Sequence, residues 1–294
     1  MGSHFQEHYN FYLDIEGQPA GRPNSASAAD DVEFVVMQTN YVTKKIPSLR
    51  RSHIDLSVGS NMGKPVHQWL EDTLNQKFNR KNGAVMLEDP TKKTVRTIEF
   101  LDAVIESVEL PSLDKASKDG EYLKVRLLPD NLKFGNTGEK FDQKKAIKYG
   151  TPPQPFDRSH FKLTIIGLAT ECAAVSKIAS IVIKQGVTAD AVGSQRTSLT
   201  VPTKLDESNL VVTLPMSSGK GFLDWHEKLI EDGATDTRSG SLEYFAKVSK
   251  SSQFTLIFDG LGLLSAEASK GSAGDSNREL KCVLYYKSAA LKPN

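Results

Sequence analysis

Two cysteines and six histidines are the side chains of this sequence best suited to nucleophilic or metal chemistry. Thiolate and imidazole groups work in such sites only with partner side chains at a suitable spacing. Cys172 follows an apolar stretch and Cys282 lies in a predicted strand, which is typical of small buried hydrophobic residues. His67 and His226 have no partners at metal or triad spacing, so we expect them at the surface or at the rim of a core. The residues therefore predict no catalytic site, no metal site and no cofactor.

Two short motifs offer reactive groups without forming a site. Residues 59–65 read Gly-Ser-Asn-Met-Gly-Lys-Pro, one residue short of a phosphate-binding loop, and Pro65 stands where a hydroxyl residue would hold magnesium. A turn from a strand into a helix explains this stretch better. Residues 224–227, Asp-Trp-His-Glu, supply acid and base groups. Adjacent residues on a helix point in different directions, so neither motif indicates an enzyme.

The composition argues against several other classes of protein. The chain has 294 residues, with 37 Lys+Arg against 36 Asp+Glu. Proteins that bind nucleic acid or anionic lipid usually carry a basic surplus, because phosphate contacts supply much of their affinity. No apolar run approaches the roughly 20 residues of a membrane helix, and the N-terminus has no charged-then-apolar signal pattern. Two cysteines are too few for a disulfide framework. We expect a globular protein that folds and assembles in a cytoplasm, with no membrane partner.

An internal repeat is the strongest feature of the sequence. The only two tryptophans, Trp69 and Trp225, are 156 residues apart. Segments around them align at nearly the same offset, which drifts only where loops would absorb insertions. The matched segments are 11–17 with 161–167, 52–58 with 208–214, 63–64 with 219–220, and 123–124 with 280–281. We interpret this pattern as a tandem duplication of one domain, whose second copy has diverged more.

Each copy has the same predicted elements. Alternating apolar residues predict strands at 11–15 and 32–39, and a third strand at 54–58 that turns Ile54, Leu56 and Val58 toward a core. Further strands are predicted at 84–88, 94–101 and 121–128. An apolar stripe predicts one helix per copy. The stripe residues are Val66, Trp69, Leu70, Thr73 and Leu74 in the first copy, and Phe222, Trp225, Leu229 and Ile230 in the second. The predicted fold class is mainly β (α+β): two tandem antiparallel β-barrel or sandwich domains, each with one α-helix.

Polar and proline-rich stretches suggest where the domains end. Residues 135–157 combine Gly, Pro and mixed charges, so we predict a linker there. Domain 1 then covers residues 1–134 and domain 2 covers residues 158–294. Residues 17–29 and 265–277 are predicted to be long loops within the two domains.

Several motifs follow one another along the first copy. They are an aromatic-rich opening strand at 8–17, a Lys-Ile-Pro step at 45–47 followed by Arg50 and Arg51, the strand at 54–58, the helix around Trp69, and a closing segment at 100–128 that contains Pro-Ser-Leu-Asp at 111–114. In this order they resemble the tail tube family of contractile-tailed phages. That family shares its fold with the tubes of contractile injection systems and of type VI secretion.

The resemblance implies a mechanical role rather than a chemical one. In this family six domains join their sheets edge to edge in a closed ring, and rings stack into a rigid conduit inside a contracting sheath. It implies a tail tube subunit of a virion tail or injection particle, assembled in the bacterial host cytoplasm. The implied partners are further copies of the chain, the sheath protein, and baseplate hub and tail terminator proteins. DNA or effector cargo would pass through the lumen without specific binding.

The resemblance also assigns roles to particular residues. The loop at 39–51 corresponds to the segment that reaches toward the next ring, and residues 187–206 are its counterpart. We therefore expect ring-stacking contacts from Tyr41, Ile46, Pro47, Leu49, Val201 and Pro202. Residues opposite the core faces would line the lumen with mixed, weak charge, namely Asp55, Thr97, Glu99, Lys124 and Arg126. Trp69 and Trp225 would anchor the helix cores.

Two tube domains per chain leave the stoichiometry open. Three chains form a ring if both domains lie in it, and six form a ring if each domain takes its own level. A baseplate hub or tube initiator that joins the spike to the tube is the alternative function. A hydrolase or carbohydrate-binding module would need a carboxylate pair or an aromatic platform beyond the core, and the sequence displays neither.

Overall fold

A computed structural model of the chain describes residues 9–39, 42–135, 146–190, 199–231, 236–269 and 278–293. The side chains of residues 30–51 and 189–200 fall outside this description. No helix among the described residues is long and apolar enough to span a bilayer.

The described part of the first half, up to residue 135, consists of strands and a single helix. These elements are β1 (Asn10–Ile15), β2 (Gln18–Gly21), β3 (Ser25–Thr39), β4 (Val42–Val58), α1 (Lys64–Leu74), β5 (Lys81–Glu88), β6 (Thr94–Leu110), β7 (Leu113–Asp114), β8 (Gly120–Glu121), β9 (Leu123–Leu128) and β10 (Asn131–Gly135).

A 3₁₀ turn at Ile147–Tyr149 precedes the second half, and another occupies Met216–Ser218. The remaining elements are β11 (Phe156–Ile165), α2 (Ala169–Ala174), β12 (Lys177–Ile178), β13 (Ile181–Asp190), β14 (Leu199–Glu207), β15 (Leu210–Pro215), α3 (Lys220–Glu231), β16 (Arg238–Ala246), β17 (Ser252–Ala268), β18 (Glu279–Tyr285) and β19 (Ser288–Pro293).

The strands form two sheets. One has the order β2-β1-β5-β6-β9-β4-β3, with β10 and β13 also paired to β6 and β14 paired to β13. The other has the order β7-β12-β15-β18-β17-β16-β11-β8, with β19 also paired to β17. Every pairing whose register is described is antiparallel, for example β1 with β5 and β16 with β17. The mainly β, antiparallel fold class expected from the alternating apolar pattern is thus confirmed.

The chain divides into two compact units that exchange segments along the sequence. Unit 1 contains residues 1–108, 124–153 and 184–206, and unit 2 contains residues 109–123, 154–183 and 207–294. Unit 2 therefore includes β7 and β8 from the first half, and unit 1 includes β14 and most of β13 from the second half. The sequence did not anticipate this exchange. The domain ranges 1–134 and 158–294 stay predictions.

Both units build a core between a sheet and one amphipathic helix. In unit 1 the fully buried side chains include Leu13, Ile54, Val85 and Phe100. In unit 2 they include Leu242, Phe254, Phe258 and Leu284. Unit 2 differs from the expectation of one helix per domain, because it contains the six-residue α2 in addition to α3.

One long strand in each unit, β6 in unit 1 and β17 in unit 2, contains the same kind of bulge. In unit 1 the register of β5 with β6 shifts between the pairs Lys81–Ala103 and Gly83–Phe100. In unit 2 the register of β16 with β17 shifts between Arg238–Leu261 and Gly240–Phe258. A Cβ on Gly83 would lie 2.2 Å from the carbonyl oxygen of Asp14, and one on Gly240 would lie 2.8 Å from that of Thr164. Both positions require glycine because a neighbouring strand passes too close for a side chain.

Four predicted loops are wrong in part, because strands extend into them. Residues 17–29 contain β2 and the start of β3. Residues 39–51 contain the first ten residues of β4, from 42 to 51. β3 and β4 pair in register from Ser25–Ser57 to Thr39–Val42, and Pro47 is accommodated beside a register shift at Phe34. Residues 187–206 contain the end of β13 and nearly all of β14. β17 extends to Ala268, which lies within the predicted loop at 265–277. Residues 270–277 lie outside the described part.

Candidate functional site

Each unit holds one tryptophan in a matching position. Trp69 of α1 is 3% exposed and its Nε1 donates to the carbonyl oxygen of Asn79 at 3.0 Å. Trp225 of α3 is 1% exposed and its Nε1 donates to the carbonyl oxygen of Asp236 at 3.0 Å. A buried indole thus packs its ring while its N–H keeps a partner. Both tryptophans occupy helix cores, as the apolar stripes indicate.

The two helices nevertheless bury their stripes to different extents. α1 buries all five predicted stripe residues, from Val66 to Leu74. α3 buries Phe222 and Trp225, whereas Leu229 is half-buried and Ile230 is 69% exposed. The expectation that Ile230 packs in the core is therefore wrong: it lies in the last turn of α3, after the buried residues Phe222 and Trp225.

The turn before α1 is structural, as expected. Gly63 caps the helix in an extended conformation and Pro65 lies in its first turn, where a missing N–H has no helical acceptor to lose. Burial lowers the pKa of His67, which is half-buried next to this turn. This position agrees with the predicted rim of the core.

Both cysteines are buried, which confirms their interpretation as core residues. Burial raises the pKa of the Cys172 thiol to about 11 and that of Cys282 to about 12. A thiol with a raised pKa carries little thiolate at neutral pH and reacts poorly. Among the described residues, no group of three or more His, Cys, Asp or Glu side chains could hold a metal ion.

A buried carboxylate in unit 1 was not foreseen from the sequence. Glu88 is 2% exposed and accepts hydrogen bonds from Tyr12 Oη and Asn10 Nδ2. Burial, with the Glu88 carboxylate beside it, raises the pKa of Tyr12 to about 12. The Arg22 guanidinium lies 5.1 Å from the centre of the Tyr12 ring and donates to Asn10 Oδ1. The hydrogen bonds from Tyr12 and Asn10 satisfy the Glu88 carboxylate, which explains why this acidic side chain can be buried.

An outward-facing polar surface in unit 1 contains two of the predicted lumen residues in direct contact. Arg126 of β9 donates from Nε to Asp55 Oδ1 at 2.6 Å and from Nη2 to Asp55 Oδ2 at 3.1 Å, although 71 residues separate the two. His53 Nε2 lies 3.7 Å from the same carboxylate. The side chains of Asp55 and Arg126 are 41% and 44% exposed. The structure therefore places a bidentate, largely neutral ion pair on the face opposite the core.

The other predicted lumen residues lie elsewhere in unit 1. Thr97 and Glu99 belong to the part of β6 that pairs with β5 and β10, before the bulge. Asp102, at that bulge, has φ of +51°. Lys124 is exposed on β9, two residues from Arg126. The five residues are thus all on outward positions, but the structure joins only Asp55 and Arg126 by a described contact.

Unit 2 presents a comparable row of polar residues. Lys177, Thr213, Lys281 and Glu267 stand opposite one another on four adjacent strands, so they share one sheet face. Lys177 Nζ also lies 3.2 Å from Glu279 Oε1, with both side chains nearly half exposed. Here too the outward face has mixed charge of low net value.

The residues expected to stack rings lie on two hairpins. Ile46, Pro47 and Leu49 belong to β4, but their side chains fall outside the description, and Tyr41 is not among the described residues. Val201 and Pro202 belong to β14 and are half-buried. The segments are strands rather than loops, and the stacking role of these residues stays a prediction.

No protein-family model matches the chain, and no curated protein matches it. Solved structures do overlay on part of it. The match to a chain of the anti-feeding prophage (AFP) baseplate covers 45% of this chain and 90% of the baseplate chain, with 9% identity and a TM-score of 0.35. A chain of an extracellular contractile injection system, in its PVC sheath–tube complex in the extended state, covers 43% and 88%, with 16% identity and a TM-score of 0.35. Hcp1 from Flavobacterium johnsoniae covers 46% and 95%, with 10% identity and a TM-score of 0.28. Likenesses this distant carry no conclusion about function.

Proposed function

We propose that the chain is a structural tail tube subunit of a contractile tail or injection particle, whose copies form stacked hexameric or pseudo-hexameric rings around a conduit. DNA or effector cargo passes through the lumen. The protein assembles in the bacterial host cytoplasm, with a sheath and with baseplate and terminator proteins as its other partners. It acts mechanically and not as an enzyme.

The observation that carries this proposal is the repetition of one β-domain plan in both units. Each unit has a tryptophan-bearing helix, a bulged long strand and a glycine against a neighbouring strand at corresponding places. We therefore infer a tandem duplication. A chain with two equivalent domains can supply two positions of a closed ring, and closure covers sheet edges that would otherwise aggregate.

The outward polar faces support the same reading. A conduit for a polyanion or for a protein cargo needs a wall without a strong charge of either sign, because a fixed field would bind the cargo. The pair Asp55–Arg126 in unit 1 and the row through Lys177 and Glu279 in unit 2 supply balanced charge. We propose these faces as the lumen wall.

Electron microscopy of the purified protein tests the proposal directly. We expect hollow rings that stack into tubes, with three-fold or six-fold symmetry in end-on class averages. Three-fold symmetry would mean that both domains lie in one ring. A monodisperse monomer at high protein concentration and low salt would overturn the proposal.

A hub or tube-initiator role is the second candidate, since a doubled domain lets three chains present six positions to a tube. The same micrographs separate the two roles. A hub gives single closed rings, whereas a tube subunit gives extended stacks.

Ile46→Asp together with Leu49→Asp should convert stacks into single rings if these residues make the inter-ring contacts. Ile166→Asp, at a position that is 67% exposed, is the control that should leave stacks intact.

A further inference from the structure

The long strands β6 and β17 follow the same course, but they differ in what covers their C-terminal ends. Both β16 and β19 pair with residues 254–258 of β17, so they lie on opposite sides of that strand. β18 leads into β19 and pairs with residues 262–268, which places it on the β19 side. The pairing of β16 with β17 ends at Leu261, opposite Arg238, and within the described residues no strand covers the β16 side of residues 262–268.

In unit 1 the corresponding side of β6 is covered. β5 pairs with residues 94–103, and β10 pairs with residues 97–101 on the opposite side. β9 leads into β10 and so lies on the β10 side. β13 also pairs with β6. Since β9 and β10 occupy one side of β6, and β5 occupies the other side up to Ala103, we infer that β13 lies on the β5 side beyond Ala103. One strand of a hairpin thus completes β6 where β17 has an open edge.

The exposure of side chains follows this difference. Counted from the bulge residues Asp102 and Gly260, Val108 of β6 corresponds to Ala266 of β17. Val108 is 1% exposed, whereas Ala266 is half-buried. On the other face, Leu264 is 51% exposed, whereas its counterpart Glu106 is half-buried. An apolar strand edge with free backbone N–H and C=O groups is a ready template for another strand.

The first half of the chain holds a hairpin that matches the one on β6. β12 pairs with Thr213 and Val212 of β15, as Ser25 and Ala26 of β3 pair with Ser57 and Leu56 of β4. By this register β13 and β14 correspond to the distal parts of β3 and β4. Among the described residues, β3 has β4 as its only paired strand. The β3–β4 hairpin therefore has the form of an added strand pair with no acceptor in its own chain.

We propose that the open edge of β17, residues 262–268, accepts the β3–β4 hairpin of a second copy of this chain. The proposal deepens the proposed function, on which it rests, by naming the contact that joins one chain to the next. Each chain carries one donor hairpin and one acceptor edge. Such a contact is heterologous, so it propagates head to tail and ends only when a ring closes.

Two variants disable one side of the contact each. In the edge variant, Leu264→Lys and Ala268→Lys place charges on the open strand, as natural edge strands do to refuse partners. In the trimmed variant, residues 31–51 are replaced by Asn-Gly, which closes a tight turn between Asp30 and Ser52, a directly paired couple. The control is Ile257→Lys with Val248→Lys, at exposed positions away from the open edge.

Sedimentation velocity measures the outcome. We expect the unmodified chain and the control to assemble, and each variant alone to sediment as a monomer. The circular dichroism of the edge variant should match that of the unmodified chain, and that of the trimmed variant should lose only the signal of the strand residues removed from β3 and β4. An equimolar mixture of the two variants should form one-to-one heterodimers and nothing larger, because the edge variant still donates its hairpin and the trimmed variant still accepts it.

Three results would overturn the proposal in distinguishable ways. If the edge variant assembles as well as the unmodified chain, β17 is not the acceptor, and the proposed function is unaffected. A mixture that stays monomeric excludes this donor–acceptor pair, again without touching the tube role. An unmodified chain that is monomeric at every concentration removes both proposals together.

Discussion

α1 and α3 hold equivalent tryptophans in unequal surroundings. Trp69 stacks against Phe100 with ring centres 6.5 Å apart, and four other residues of α1 are buried around it. A small, wholly apolar cavity adjoins Trp69, between α1 and the sheet. Trp225 instead has the Arg238 guanidinium 4.5 Å from its ring centre, and only Phe222 is buried beside it on α3. Unit 1 thus attaches its helix through five buried side chains, whereas unit 2 relies on two, Phe222 and Trp225.

The largest expected effect comes from removing these rings. Trp225→Ala should lower the free energy of unfolding by about 3–5 kcal/mol, since it deletes a buried ring, leaves a cavity and removes the cation–π contact with Arg238. Trp69→Ala should cost less, because α1 keeps four buried residues and its site is already imperfectly filled. Urea unfolding followed by circular dichroism measures both values.

The matching Trp→Phe variants serve as controls. Each retains an aromatic ring but loses the N–H bond to Asn79 or Asp236, so we expect a smaller loss, of about 1–2 kcal/mol. Since each unit holds one tryptophan, the fluorescence of the remaining indole reports on the other unit in every variant. A larger loss for Trp69→Ala than for Trp225→Ala would reverse the comparison.

The bulges of β6 and β17 differ in which residue adopts the left-handed backbone. Asp102 has φ of +51° in β6, and Gly260 has φ of +64° in β17. Gly260→Asp should destabilise the protein by about 1–2 kcal/mol, because a side chain in this region is strained and its Cβ would also press on Lys287. Asp102→Gly should change stability by less than about 1 kcal/mol, since relief of strain is offset by a more flexible unfolded chain.

Thermal unfolding of the two single variants checks this asymmetry. Equal losses at the two bulges would show that the backbone conformations are not equivalent. A loss for Asp102→Gly above that for Gly260→Asp would point to the hydrogen bond from the Asp102 N–H to Asn82 Oδ1 as the dominant contact.

A third difference between the halves concerns a carboxylate. Glu207 aligns with Arg51 of the first copy, and burial raises the pKa of Glu207 to about 6, against a weaker lowering by a hydrogen bond from Tyr286. The folded protein therefore holds a proton that the unfolded chain releases at lower pH. The contribution of Glu207 is favourable below its unfolded pKa and is lost as the pH rises through about 6.

Melting temperatures between pH 4 and pH 7 test this sign. In Glu207→Gln the decrease of the melting temperature between pH 4 and pH 7 should be smaller, because the amide side chain does not titrate. Glu227→Gln, at an exposed position of α3, is the matched control and should leave the pH profile unchanged. A profile that rises through pH 6 and flattens in Glu207→Gln would show that the buried acid is instead stabilised in its charged form.

The fold and the site differ in how far the sequence predicts them. The buried residues of α1 follow from spacing alone, since a 3.6-residue period needs no knowledge of distant contacts. The N-terminal part of β4 was expected to be a loop, because the family resemblance alone placed a loop there. Its long pairing with β3, which no local pattern encodes, makes it a strand. The placement of β13 on β6 depends on a contact between distant parts of the chain, which no local pattern encodes. Asp55 and Arg126 were each predicted to face outward, but their pairing depends on the order of strands in the sheet.

The smallest expected effect compares the ion pairs on the two outward faces. Asp55–Arg126 is bidentate, while Lys177–Glu279 has a single contact at 3.2 Å, and all four side chains are more than 40% exposed. Exposed pairs contribute between zero and about 1 kcal/mol, with the bidentate geometry toward the upper end. Double-mutant cycles with Asp55→Asn and Arg126→Met, and with Glu279→Gln and Lys177→Met, should give a larger coupling for the first pair, and both couplings should shrink in 1 M salt. If instead the coupling of Asp55–Arg126 exceeds that range only in assembled protein, then assembly shields this pair from water. A pair on the wall of an open, water-filled lumen would stay hydrated, so this result would contradict the lumen assignment.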